Sequence, residues 1–239
     1  MLLAVSRLMI VAMLVLSLVA QAQNCERPRD SSSKSVAALS DEARLAFLSK
    51  LLGDESVRSR NYTLFWGATF SMLTLIQLGL MPLYKHEEQP DWYWGAAGSS
   101  VGLAFLLLGV PAVLEAGPRY TQKVSAATPA DTCSLIAEGE KLLEAGAETE
   151  VASFKWYLHA GNVLFNIGLG LVLGLGYGRW TPAIVNTIVG TIVGETNILT
   201  APSHLISGLR RYRNGESPPA VTFNVIPTAG PGLGLLVRF

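Results

Sequence analysis

Four apolar runs, each about as long as a membrane span, dominate the pattern of the chain. They cover residues 62–83, 94–114, 156–178 and 183–200. An α-helix needs about 20 residues to cross a hydrocarbon core about 30 Å thick, and each run is close to that length. Short connections join the first run to the second and the third to the fourth. The pattern therefore predicts an all-α membrane protein: a four-helix transmembrane bundle of two helical hairpins, at 62–114 and 156–200.

Charge gaps and aromatic residues support this interpretation. The first two runs contain no Asp, Glu, Lys or Arg. Tyr62 and Trp66 begin the first run, Trp94 begins the second, and Trp156 and Tyr157 begin the third. Amphipathic rings at the ends of spans form the belt expected where helices meet lipid headgroups. A lipid bilayer is therefore the first predicted partner.

An apolar leader precedes these runs. Residues 1–22 contain one Arg, then an apolar stretch, and they end in Ala20-Gln21-Ala22. This is the pattern of a secretory signal peptide, so we expect cleavage before Gln23 and export of the mature N-terminus. The alternative is an uncleaved first membrane helix with its N-terminus outside, which gives five spans.

The segments before and between the hairpins predict peripheral amphipathic helices. The exported segment 23–61 is polar at first and then helical; Ser40 can cap the helix and Gly53 can end it. The exported linker 115–155 is acidic; Asp131 or Thr132 can cap its helix, and Gly146 is predicted to lie near the end of that helix. In both helices leucines share one face, so each has an apolar side to bury.

The tail at 201–239 combines a helix with a β pattern. Pro202 breaks the fourth span, and Ser203 can cap a short amphipathic helix that ends at Gly215. Apolar and polar residues then alternate on both sides of a Pro- and Gly-rich stretch within 221–239. This alternation predicts a short C-terminal β-hairpin.

Cys25 and Cys133 are the two cysteines of the chain. An even count in an exported chain favours a disulfide. Two predicted spans lie between them, and two crossings return the chain to the side that it left. Both thiols therefore lie on one face of the membrane, and we predict a Cys25–Cys133 disulfide that closes the first hairpin.

Small residues recur at helical spacing inside the runs. The clearest glycine pairs are Gly98 with Gly102, Gly170 with Gly174, and Gly190 with Gly194. Such pairs let helix backbones approach closely in lipid, where van der Waals packing drives association. The alternative is a pore lined by glycine backbone.

Polar side chains inside and beside the last two runs are the candidate functional residues. They are His159, Asn162, Asn166, Asn186, Glu195, Asn197 and His204. Charge at bilayer depth is costly, so the Glu195 carboxyl is expected to be protonated or hydrogen-bonded to the asparagines of the third span. The residues fit either interhelical contacts or a proton or solute pathway. Their spacing does not converge on a metal shell.

Composition excludes several function classes. Only 15% of the 239 residues are charged, and 18 basic residues balance 18 acidic ones. The basic cluster at 210–213 is too small for a nucleic-acid face, so no nucleic-acid partner is expected. The sequence has no cofactor fingerprint and no marked nucleophile beside a base. We therefore expect no enzyme activity, no catalytic residue, no metal and no cofactor.

The basic residues conflict with simple export of the chain. With the leader exporting the N-terminus, the cytoplasmic connections hold only Lys85 and Arg179, the opposite of the positive-inside bias. An uncleaved leader removes the conflict, because it places the segments 23–61, 115–155 and 201–239 in the cytoplasm. The disulfide is then lost.

Residence in the outer membrane also removes the conflict. Residues 233–239 alternate apolar positions and end in Phe239, which resembles the terminal strand of outer-membrane barrels. One hairpin cannot close such a barrel, which needs at least about eight strands. The sequence leaves inner and outer membrane open.

These observations favour an integral membrane protein of the bacterial cell envelope with a structural or interaction role. Both mature termini are predicted to be periplasmic, and the expected protein partners are other envelope proteins or a second copy of the chain. The runner-up is a small transporter or channel subunit that uses Glu195 and the stripe formed by Asn162 and Asn166.

Overall fold

The computed structural model describes Cys25, residues 39–109 and 112–216, and the backbone of residues 222–227 and 233–238. The helices are α1 (Asp41–Leu80), α2 (Gln89–Leu108), α3 (Val113–Ser125), α4 (Thr132–Ser153), α5 (Trp156–Leu171), α6 (Trp180–Leu199) and α7 (His204–Arg213). A π-helical segment, Val172–Gly176, extends α5. The predicted leader at 1–22 lies outside the described residues.

Four helical stretches of the described residues are long and apolar enough to cross a membrane. They are Asp41–Leu83, Gln89–Ser125, Trp156–Gly176 and Trp180–Arg213. The prediction of a helical chain with four candidate spans is therefore confirmed in length and composition. In the structure, the later part of α1 packs with α2 (hairpin one), and α5 packs with α6 (hairpin two).

The helix predicted to end at Gly53 continues into the first span. α1 is a single helix of 40 residues, about 60 Å long at 1.5 Å per residue. The stop signal is overridden because α3 packs closely against this part of α1. A Cβ atom built on Gly117 of α3 would lie 2.6 Å from the carbonyl oxygen of Leu52, so the helix backbones nearly touch beside Gly53.

The peripheral helices form one core domain rather than separate surface elements. The core domain consists of the first half of α1, at 41–60, together with α3, α4 and α7. The buried residues of its core are Cys25, Phe47, Leu48, Leu52, Val113, Tyr120, Leu135, Ile136, Leu143, Ala147, Leu205 and Tyr212. The apolar faces predicted for the separate helices are therefore buried against one another.

A smaller cluster joins the two hairpins next to the core domain. Trp66 and Phe70 of α1 pack with Leu106 of α2, and Val193 of α6 lies against them. Trp66 also donates its indole N–H to the Thr200 hydroxyl over 3.0 Å. The first span is thus fixed to the end of the fourth.

The second span ends earlier than the predicted residue 114. α2 ends at Leu108, and Val113 begins α3 with its side chain in the core domain. The predicted start of the linker helix is correct, because α4 begins at Thr132. Its predicted end near Gly146 is wrong. A Cβ atom on Gly146 would lie 2.4 Å from Leu205 Cδ1, so this glycine is a packing position for α7.

The tail begins as the sequence predicts. α7 ends at Arg213, and Gly215 follows in the left-handed region with φ of 67°. The backbones of β1 (Thr222–Pro227) and β2 (Leu233–Arg238) are paired antiparallel. Their side chains and the connection between them lie outside the described residues, so the C-terminal β-hairpin stays a prediction.

Candidate functional site

Four of the seven polar candidates meet between α5 and α6. His159, Asn162 and Asn166 lie on one stripe of α5, at the spacing of successive helical turns. Glu195 lies opposite them on α6, one turn before its end. We call these four residues the polar cluster.

Glu195 is held by two residues of the facing helix. One carboxylate oxygen, Oε2, lies 2.6 Å from His159 Nδ1. The other, Oε1, accepts a hydrogen bond of 2.9 Å from the Asn162 amide. The side chains of His159 and Glu195 are 32% and 27% exposed. The expectation that Glu195 bonds to the asparagine stripe across the hairpin agrees with this geometry.

The asparagines extend the polar cluster along the helix interface. The Asn162 amide also donates to the carbonyl oxygen of Thr191 over 3.1 Å. The Asn166 amide donates to the Asn162 side-chain oxygen over 3.0 Å. The Thr187 hydroxyl donates to the Asn166 carbonyl oxygen over 3.1 Å. Polar groups of the two helices are therefore bonded to each other along this face.

Glycines of α6 make room for these amides. A Cβ atom on Gly194 would lie 2.0 Å from Asn162 Oδ1, and one on Gly190 would lie 2.0 Å from Asn166 Oδ1. Both distances are far below van der Waals contact. The glycine pair predicted as a close-packing element thus accommodates the two asparagine side chains.

The other three candidates lie apart from the polar cluster. The Asn186 amide is 3.5 Å from the carbonyl oxygen of Asp91, near the opposite end of α6. The Asn197 carbonyl oxygen accepts a hydrogen bond from the Tyr62 hydroxyl over 3.1 Å. His204 lies in the core domain, with Nδ1 3.6 Å from Glu55 Oε2. The candidate set is therefore not one site.

An ion pair joins the connections at the far end of the hairpins. Arg179, just before α6, donates from Nε to Asp91 Oδ1 over 3.2 Å and from Nη2 to Asp91 Oδ2. Such bidentate pairs fix geometry as well as adding energy. This contact fastens the start of α2 to the start of α6.

The core domain also contains a pair of buried carboxyl groups that the sequence did not predict. The side chains of Glu55 on α1 and Glu150 on α4 are almost fully buried, with 1% and 7% of each residue exposed. Burial, followed by the charge of Glu150, raises the pKa of Glu55 to about 8. Burial also raises the pKa of Glu150. One signal was available, because Glu55 continues the apolar stripe of Leu48 and Leu52 at helical spacing.

A second buried polar group anchors the tail helix. Arg44 of α1 donates from Nη2 to Glu140 Oε1 of α4 over 2.6 Å and from Nε to the Tyr212 hydroxyl of α7 over 3.1 Å. Burial lowers the pKa of Arg44, but the hydrogen bonds to Glu140 and Tyr212 outweigh it and raise the pKa above its ordinary value. The guanidinium therefore stays charged and ties three helices together.

The two cysteines lie at disulfide distance in the core domain. The Cα atoms of Cys25 and Cys133 are 5.0 Å apart, and the sulfurs are joined. The backbone N–H of Cys25 donates to Asp41 Oδ2 over 3.1 Å. Asp41 and the two sulfurs lie within 4.8 Å of one another, as metal ligands would. A metal needs thiolates, and sulfurs joined as a disulfide offer none.

Comparisons of the chain with protein-family models, with curated proteins and with solved structures found no match.

Proposed function

We propose that this chain is an integral membrane protein of the bacterial cell envelope with a structural or interaction role. Two membrane hairpins hold the core domain on the exported side, where it is available to other envelope proteins or to a second copy of the chain. The observation that carries the proposal is the continuity of α1, a 40-residue helix shared by the core domain and hairpin one. A continuous helix fixes the orientation of a domain relative to its membrane anchor.

The polar groups of the spans support a structural role rather than a pathway. In hairpin two, Glu195 and Asn162 are bonded to each other across the helix interface. In hairpin one, the Thr74 hydroxyl donates to the Ser99 hydroxyl over 2.9 Å, and Ser99 donates to Gln77 Oε1 over 3.1 Å. Side-chain hydrogen bonds of this kind hold membrane helices together.

The cysteine pair supports placing the core domain on the exported side. Disulfides form and persist in the periplasm and other oxidising compartments, and they are rare in the cytoplasm. Cys25 precedes α1 and Cys133 lies in the first turn of α4, so both belong to the core domain. On this proposal both mature termini are periplasmic.

A transporter or channel subunit is the second candidate. One observation favours it: His159 and Glu195 are ionisable, paired and partly exposed, whereas the other polar groups of the spans are neutral or more buried. An ionisable pair at this depth is a functional candidate by default because the burial of charge in lipid is costly.

A flux assay on reconstituted protein separates the two candidates. Liposomes containing the purified chain should release protons and small ions no faster than empty liposomes. The Glu195→Gln variant keeps an oxygen for Asn162 and should behave as the wild type does. The opposite result would be a flux through the wild-type protein that Glu195→Gln abolishes without changing the melting temperature. It would contradict the structural role and favour transport. Thr196→Ala, on the exposed face beside Glu195, is the matched control.

In-cell photo-crosslinking tests the interaction role directly. A crosslinking amino acid at Arg211, which is exposed on the core domain, should give discrete adducts with one protein or with a second copy of the chain. The same amino acid at Leu164, which is exposed on hairpin two, should react mainly with lipid. If the crosslinker at Arg211 forms no adduct with another protein or with a second copy, under conditions in which the cell needs the chain, the proposal is contradicted.

A further inference from the structure

Three buried carboxylate oxygens in the core domain have no N–H or O–H donor among the described residues. They are both oxygens of Glu55 and Oε1 of Glu150. The fourth oxygen, Glu150 Oε2, accepts a hydrogen bond of 3.0 Å from the backbone N–H of Ile206, in the first turn of α7. Buried polar groups nearly always have partners, so three orphaned oxygens together require an explanation. Both carboxyl groups meet the first turn of α7, because Glu55 Oε2 lies 3.6 Å from His204 Nδ1 and Glu150 Oε2 accepts the hydrogen bond from Ile206.

The charges around the pair do not balance two carboxylates. On α1, Arg58 Nη1 lies 4.0 Å from Glu55 Oε2, and Asp54 adds a negative charge nearby. On α7, burial and Arg58 lower the pKa of His204, so His204 is neutral at neutral pH although its Nδ1 is 3.6 Å from Glu55 Oε2. One guanidinium therefore faces two buried carboxyl groups.

The third neighbouring helix does not supply the missing positive charge. On α3, Glu115 and Arg119 pair with each other at 3.3 Å, and both side chains are more than two-thirds exposed. The remaining acidic residue near Glu150 on α4, Glu148, is exposed. Two carboxylates buried this closely repel each other strongly, and the usual result is that they share a proton. A carboxylic acid that donates to a carboxylate also gives a partner to two of the three orphaned oxygens, one on each residue.

A divalent cation fits the site less well than a proton. A metal ion needs ligand atoms that lie close together. Among the described residues, the possible ligand atoms of Glu55, Glu150 and His204 do not all lie within 4.8 Å of one another. The Ile206 N–H already occupies one oxygen of Glu150. A shared proton needs only the two carboxyl groups and no additional ligand.

We propose that Glu55 and Glu150 form a proton-binding site that controls the docking of α7 on the core domain. With one proton shared, α1 and α4 are joined at this point, and Glu150 caps the N-terminus of α7. When the proton is lost, two buried like charges push α1 and α4 apart, and the cap moves away from α7. Because α7 connects the fourth span to the C-terminal segment, the site couples the pH around the core domain to that segment; that this is the external pH rests on the proposed function, which places the core domain on the exported side.

The direction of the pH dependence follows from the raised pKa values. Burial and the neighbouring Glu150 raise the pKa of Glu55 from its ordinary 4.5 to about 8. Between these values the folded chain holds more protons than the unfolded chain, so the stability of the fold falls as pH rises. Above the folded-state pKa both states have lost the proton, and this contribution no longer changes.

Thermal unfolding in mild detergent and hydrogen exchange together test the site. From about pH 6 to about pH 9, the wild-type melting temperature should fall and the amides of α7 should exchange faster. Glu55→Gln, which is neutral and of the same shape, should lose both effects. Glu148→Gln, two residues from Glu150 on the exposed face of α4, is the matched control and should keep the wild-type pH dependence.

Two results would overturn the proposal. The first is an equal pH dependence of melting and of α7 exchange in the wild type and in Glu55→Gln. The second is a wild-type melting temperature that falls when a chelator is added at constant pH, because a divalent cation would then occupy the site. If Glu55→Gln does not fold, infrared difference spectra of the wild type supply the answer. A protonated carboxyl band that persists above about pH 7 supports the shared proton, and its absence contradicts it.

Discussion

At the scale of single residues, the polar cluster shows how asparagines can join two helices that are apolar enough to span a membrane. Asn162 bonds to Glu195 across the interface, and it can reach Glu195 because Gly194 has no side chain. The sequence places Glu195 and the asparagine stripe opposite each other, since a short connection makes α5 and α6 a hairpin. The apolar stripe indicates that Glu55 is buried, but the sequence does not pair it with Glu150, because the two lie 95 positions apart on helices whose packing the sequence does not specify.

We predict that Gly194→Ala destabilises hairpin two. The added methyl group would lie 2.0 Å from Asn162 Oδ1, so the amide must turn away and release Glu195. A lost side-chain hydrogen bond between membrane helices costs about 1 kcal/mol, and thermal unfolding in detergent measures it. Gly161→Ala on α5 is the control, because its methyl group meets nothing within 4 Å. Equal melting temperatures for the two variants would contradict the prediction.

At the scale of helices, close approach between backbones decides where elements begin and end. Gly53 and Gly146 have the sequence signature of helix ends, yet both lie inside helices. Gly53 lies beside the contact between α1 and α3, and Gly146 faces Leu205 of α7. Glycine costs helix stability in either case, so its presence alone does not distinguish an end from a packing position.

We predict that Gly117→Ala separates α3 from α1. The built Cβ atom lies 2.6 Å from the backbone oxygen of Leu52, and a backbone atom cannot move aside as a side chain does. Overpacking of this kind costs about 1–3 kcal/mol and should appear as a lower melting temperature. Gly79→Ala, in the partner helix α1, serves as the control because its added methyl group meets nothing within 4 Å. A Gly117→Ala variant as stable as wild type would show that α3 is not held against α1.

The spans were predictable from the sequence and the core domain was not. Length, charge gaps and terminal aromatic residues are local properties of a membrane helix, so the four candidate spans follow from the chain alone. The apolar faces of α1, α4 and α7 were also predicted, but an apolar face does not show which other helix packs against it. Their assembly around Leu48 and Leu143 depends on contacts between segments far apart in sequence.

At the scale of the whole molecule, the cysteine pair closes the chain around hairpin one. Cys25 and Cys133 are separated by 108 positions, a stretch that includes α1, α2 and α3. The predicted pairing followed from parity, because two crossings return the chain to its starting side. The structure brings the same residues to disulfide distance through the packing of the core domain.

We predict that removal of this crosslink destabilises the core domain more than hairpin two. A disulfide that closes a long loop typically contributes about 2–4 kcal/mol, chiefly by restricting the unfolded chain. The double variant Cys25→Ala/Cys133→Ala should therefore show faster hydrogen exchange in α4 and α7 and unchanged exchange in α5. Thiol labelling of denatured wild-type protein without reductant should modify neither cysteine. Complete labelling of both would show that the bond does not form in the cell.

Topology mapping tests the central claim, a four-span chain whose core domain is exported. Reporters that distinguish cytoplasm from periplasm are fused at positions 35, 88, 130 and 220, one in each predicted extramembrane segment apart from the short connection at 179–182. We predict periplasmic signals at positions 35, 130 and 220 and a cytoplasmic signal at 88. The reverse pattern would show an uncleaved leader, five spans and a cytoplasmic core domain, and it would contradict the account.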